Sequence, residues 1–68
     1  MKNLIKVERA RHNLTQAELA EKVKVARQTI IAIEAGKFIP SAALAFKIAH
    51  ILGCKADDIF KLEAEDWL

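Results

Sequence analysis

Sixty-eight residues, 53% of them apolar, suffice for one domain with a small core and exclude a second. A single cysteine, Cys54, excludes an internal disulfide and fits a reducing cytoplasm, and no apolar run is long enough for a signal peptide or a membrane span. The net charge of +2 is small, but residues 1–37 carry eight Lys/Arg against four Asp/Glu, a balance of +4, while residues 38–68 carry three against five, a balance of −2.

The pattern is helical throughout, punctuated by two glycines and one proline, and no alternation is long enough to predict an internal strand. The first helix is predicted over about Asn3 to His12, with Leu4, Ile5 and Val7 as its apolar contacts and Asn13 as its stop. Thr15 caps the second helix, and Glu18 three residues on completes a capping box. Ala17, Leu19, Ala20 and Val23 supply its buried stripe, and Val25 is the apolar pin of the following connection. The third helix runs from about Arg27 to Ala35, with Ile30 and Ile33 turned inward and Gly36 as its C-cap. Pro40 and Ser41 restart the chain, Ser41 capping a fourth helix over about Ala42 to Leu52 whose core side carries Leu44, Ala45, Ile48, Ile51 and Leu52. Gly53 closes that helix, and a short fifth follows over about Ala56 to Phe60.

The most informative stretch is Thr15 to Lys37, two short amphipathic helices joined tightly, the second opening on Arg27, Gln28 and Thr29. The major groove of duplex DNA admits one α-helix and shows each base pair as a distinct set of donors and acceptors. Arg27 offers a bidentate fork to guanine and Gln28 can bond both N6 and N7 of adenine. The basic half of the chain coincides with this helix, as a phosphate-facing surface requires. The bland alternative for Arg27 and Gln28 is the solvated end of a surface helix.

The segments LTQAELAEKV (14–23), RQTI (27–30), IEAGK (33–37) and PSAALAFKIAHILG, followed by DDIF, resemble the Cro/C1 (Xre-type) helix-turn-helix repressors over about residues 4 to 60. The acidic ending KLEAEDW is similar to a short subgroup that holds little beyond the DNA-binding domain. The resemblance implies an all-α, five-helix, lambda-repressor-like domain over residues 1–68, with the helix-turn-helix at about 15–35. It implies double-stranded DNA as the partner, bound as a homodimer on a near-palindromic operator, and no cofactor, metal or small-molecule ligand. It places base reading on Arg27, Gln28, Thr29, Ile31 and Ala32, phosphate contact on Gln16 and Lys37, and a structural ion pair on Arg9 and Glu34.

Three departures bear on those contacts. Lys24 stands where the family has glycine in the turn, Ala26 where it has Ser or Thr before the reading helix, and Ile31 where the subgroup has a polar residue. Lys55 likewise replaces a common cap of the fifth helix. A lysine in the turn must adopt a left-handed backbone at some cost, or the turn must differ. Ile31 is expected to be exposed, facing thymine methyls or another protein.

The remaining chemistry has plainer readings. His50 and Cys54, four residues apart, lack further metal ligands, and Cys54 is read as a small buried hydrophobe. Ser41 is the only serine and serves as a cap, and there is no glycine-rich phosphate loop, so no enzyme is expected. The tail over residues 61–68 is too apolar for a solvated end. It folds back on the first helix or joins a second copy, and residues 60–66 could form a strand with a partner's equivalent segment. Dimerisation is expected through Ile59, Phe60, Leu62, Trp67 and Leu68. The expected function is a small homodimeric transcriptional regulator, a repressor in the simplest case. The alternatives are an antitoxin or restriction-control protein, or an interaction module that uses Ile31 and Trp67 without binding DNA.

Overall fold

The computed structural model describes residues 1–67. Its helices are α1 (Ile5–Arg11), α2 (Gln16–Val23), α3 (Arg27–Glu34), α4 (Ala42–Ile51) and α5 (Ala56–Ile59). Two short strands, β1 (Lys2–Asn3) and β2 (Phe60–Lys61), pair antiparallel with Lys2 opposite Lys61 and Asn3 opposite Phe60. A 3₁₀ turn at Ala64–Trp67 follows.

One local device ends each of the first four helices. A residue with positive φ follows each of them: Asn13 at 54°, Lys24 at 60°, Gly36 at 75° and Gly53 at 66°. The next residue's N–H reaches back five positions, Leu14 to Arg9, Val25 to Ala20, Lys37 to Ala32 and Cys54 to Ala49, at 2.9–3.0 Å. That bond occupies a carbonyl otherwise left open by the helix end. Leu14, Val25 and Cys54 also pack against the core, so three of these stops are pinned by an apolar contact. The helix starts are less uniform. Thr15 and Glu18 form the full capping box and Ser41 caps α4, whereas Ala26 and Lys55 provide no side-chain cap.

Ile5, Leu19, Ile30, Ile33, Ile48, Leu52 and Ile59 are the large side chains fully removed from solvent, with Ala20, Val23 and Ala49 filling between them. They come from all five helices, and α2 packs chiefly against α3 and α4. Ala20 lets those helices approach closely. Ala17, expected in the same stripe, is exposed, because the inward face of α2 runs through positions 19, 20 and 23.

Helix α1 departs from expectation. It begins at Ile5, and Leu4 and Val7 are 44% and 49% exposed. The reason is periodicity: the face that begins with buried Ile5 continues through half-buried Glu8 and Arg9 to the exposed cap residue His12. Three of those four contacts are polar. Glu8 faces the Cys54 thiol, Arg9 meets Glu34, and His12 Nε2 donates to the Leu52 carbonyl at 2.7 Å.

The tail closes on the chain's own N-terminus. Of the strand expected over 60–66 only Phe60–Lys61 forms, and it pairs with β1, while Leu4 N–H donates to the Ile59 carbonyl at 2.9 Å. The Met1 amine lies 3.2 Å from both Glu63 Oε1 and Asp66 Oδ2. Hydrogen bonds to these carboxylates, Glu63 first, raise the amine above its ordinary pKa. The Glu63 N–H holds the Asp66 carboxyl below its ordinary value. Ile59, expected at a dimer contact, is completely buried in its own core and has no surface to offer. Phe60 is half-buried, Leu62 and Trp67 are 59% and 76% exposed, and Leu68 lies outside the described residues.

Candidate nucleic-acid interface

Helix α3 owes its position to packing, since its start has no side-chain cap. Ala26 is extended at φ −68°, ψ 148° and leaves the first turn without a side-chain acceptor. An isolated eight-residue helix is unstable in water, so burial of Ile30 and Ile33 against α2 must hold it. With those two inward, helical spacing turns Gln28, Ile31 and Ala32 outward on one face, with Arg27 beside them. Arg27 and Gln28 are exposed, while Thr29, Ile31 and Ala32 are half-buried. Ile31 is therefore less available than expected.

A hydrogen-bonded network ties this helix to the rest of the domain. Arg9 Nε donates to Glu34 Oε2 at 2.7 Å and its Nη2 to Glu34 Oε1 at 3.2 Å, while Nη1 donates to the Leu14 carbonyl at 2.9 Å. The two side chains are 14% and 10% exposed. Planar bidentate pairing of this kind fixes orientation as well as contributing energy. Gln16 Nε2 donates to Glu34 Oε1 at 3.1 Å, so the first residue of α2 is joined to the last of α3. Among the described residues that amide nitrogen makes no second hydrogen bond, so it has a hydrogen to offer another acceptor. Lys37 lies just past α3, exposed, with its backbone N–H held by the Ala32 carbonyl.

Asn3 is a positioning residue that sequence pattern does not reveal. Its side-chain amide donates to the Ile33 carbonyl at 2.8 Å, and its oxygen accepts the Ile5 N–H at 3.3 Å. It thus joins β1, the start of α1 and the last turn of α3. An asparagine ahead of an apolar helical pattern is a signal for a helix start, but nothing local indicates the reach to Ile33.

The N-termini of α2 and α4 add backbone N–H groups suited to phosphate oxygens. Hydrogen bonds within the capping box, led by the Thr15 backbone N–H, hold the Glu18 carboxyl below its ordinary pKa. Cys54 is half-buried rather than buried. Its thiol faces Glu8 Oε1 at 3.4 Å and the Leu52 carbonyl at 3.3 Å, and burial followed by Glu8 raises its pKa. A thiol so held is a poor nucleophile. Among the described residues no cluster of three or more His, Cys, Asp or Glu is placed to hold a metal, and no helix is long and apolar enough to cross a membrane.

Comparison with known proteins supports the same segment. The helix-turn-helix family profile matches residues 5–59. A helix-turn-helix-type transcriptional regulator of Methanocaldococcus jannaschii is 59% identical, over 97% of this chain and 100% of that one. The helix-turn-helix-type transcriptional regulator YgzD of Bacillus subtilis is 47% identical, over 97% of this chain and 100% of its own. The crystal structure of the clp gene regulator ClgR from Corynebacterium glutamicum superposes with a TM-score of 0.74 at 30% identity, covering 79% of this chain. This chain spans only 57% of the ClgR chain.

Proposed function

Because this chain belongs to the Cro/C1-type helix-turn-helix family, we propose that it reads duplex DNA with α3 and regulates transcription in the cytoplasm. The observation that carries this reading is the two-sided character of α3. Its inner face is fully buried and clamped through Arg9, Glu34 and Gln16, while Arg27 and Gln28 stand exposed at its start.

In this mechanism Arg27 and Gln28 read base edges, with Thr29, Ile31 and Ala32 lining the same contact. Gln16, Lys37 and the amides at the starts of α2 and α4 hold phosphates. Phosphate contacts set register and affinity, and base edges set sequence. The protein works as a homodimer whose two copies of α3 lie about 34 Å apart, on successive major grooves of a near-palindromic site. Occupying a promoter in this way represses by excluding polymerase. A protein-binding role for the same face has less support, because its apolar member Ile31 is half-buried.

Fluorescence anisotropy tests the reading, with duplex from upstream of the protein's own gene, a scrambled duplex and two salt concentrations. The expected result is salt-sensitive binding that prefers the native duplex. Gln28→Ala should relax preference at one position, whereas Lys37→Ala should weaken all sequences alike and lower the salt slope by about one. A folded protein with no affinity for either duplex would overturn DNA reading. Identical effects of both substitutions on every sequence would overturn the division of roles.

A further inference from the structure

A groove of about 470 Å³ opens between the C-terminal end of α2 and the later part of α4. Val23, Phe46 and Ile51 supply its apolar lining, and Lys22, Lys24, Lys47 and His50 its rim. Phe46 is 65% exposed. A single exposed phenylalanine is ordinary, but this one stands in a concave site rimmed by cations. None of the three lysines belongs to an ion pair found among the described residues.

The chain's own tail has the complementary chemistry. Leu62, Glu65 and Trp67 are exposed, while Glu63 and Asp66 are engaged by the Met1 amine. An apolar, acidic and aromatic side is therefore presented outward by a segment anchored through β2 and the Met1 contacts. That anchorage holds the tail at the N-terminus of its own chain and leaves its own groove open. We propose that the groove between α2 and α4 receives the tail of a second copy, Trp67 packing on Phe46 and Glu65 meeting the lysine rim.

This inference rests on the self-association assumed in the proposed function and names the surface that the tail meets. Stacked aromatics flanked by lysines gain from burial, from edge or offset packing and from cation–π attraction. The groove lies at the far end of α2 from Gln16, about 10 Å along the helix, and Lys24 on its rim stands three residues before Arg27.

Sedimentation velocity on the full chain, with Phe46→Asp and Trp67→Ala, tests the contact. Both side chains are exposed, so neither substitution opens the core, and circular dichroism checks folding. Each should weaken self-association about tenfold or more, as expected for an aromatic anchor. An equimolar mixture of the two variants should recover association in part, because a mixed pair keeps one intact tail in one intact groove. If Trp67→Ala dissociates the protein while Phe46→Asp does not, the groove is overturned and tail-mediated pairing stands. A mixture that fails to recover association overturns the groove as well. Wild-type protein that stays monomeric at every concentration overturns both groove and dimer, while the anisotropy titration on a half-site judges DNA reading separately.

Discussion

Replacing Arg9 with methionine isolates the network that orients α3. The substitution preserves most of the aliphatic volume but leaves the Glu34 carboxylate, 10% exposed, with Gln16 as its remaining side-chain partner. It also strips the Leu14 carbonyl of its guanidinium donor. Removing one member of a buried ion pair typically costs about 3–5 kcal/mol. Residual solvent access at both side chains and the surviving Gln16 bond reduce this, so Arg9→Met should cost about 2–3 kcal/mol. A 68-residue domain has about 3–10 kcal/mol in total, so that loss is a large share of its stability. In a thermal melt it corresponds to a fall of roughly 10–20 °C. Glu34→Gln should also destabilise, by stranding the Arg9 cation. The double variant should cost less than the two singles together by about 1.5–3 kcal/mol, because it leaves neither charge behind. Urea titration followed by circular dichroism measures all four corners of this cycle. Additive single effects, or an Arg9→Met protein within about 0.5 kcal/mol of wild type, would refute an energetically coupled network.

Lys24→Gly should stabilise the domain by about 1 kcal/mol, since relief of the left-handed lysine outweighs the added freedom of the unfolded chain; an unchanged or lower melting temperature would contradict the φ of 60°. Ala26→Ser should add about 1 kcal/mol by supplying α3 with the cap it lacks, measured as a shift in the urea midpoint. The tail should loosen at both extremes of pH, read by the emission of the single tryptophan, Trp67. Asp66 has a depressed folded pKa, so its contribution is present above the ordinary carboxylate range and lost as pH falls through that depressed value. The Met1 amine has a raised pKa, so its contribution is present below the ordinary amine range and lost as pH rises through the raised value. Asp66→Asn should abolish the acid transition, and its persistence would place the titration elsewhere.

Most of the helical plan was legible in the sequence because its signals are local. Thr15 with Glu18, Ser41, Gly36 and Gly53 mark helix ends through bonds that span three to five residues, and the structure places caps and stops there. For Lys24 the resemblance left two outcomes open, a left-handed backbone or a different turn, and the structure has the first. Spacing also identified Ile30 and Ile33 as the inner side of α3, and hence Arg27 and Gln28 as outward.

What sequence pattern could not decide were interactions between distant positions. Apolar spacing put Leu4 and Val7 in the core, but α1 packs through Ile5 and three polar contacts whose partners lie 25 to 46 residues away. A two-residue strand carries no periodicity, so β1 becomes visible only through its pairing with Phe60–Lys61. That pairing, with the Met1 contacts, closes the tail on the chain's own N-terminus, and Ile59 lies inside its own core. The sequence by itself determined where the helices stop and which side of the reading helix faces out, because those depend on neighbours along the chain. Only the tertiary structure decided how that helix is held, where the tail closes and which apolar residues remain exposed, because those depend on which distant donors, acceptors and surfaces the fold brings together.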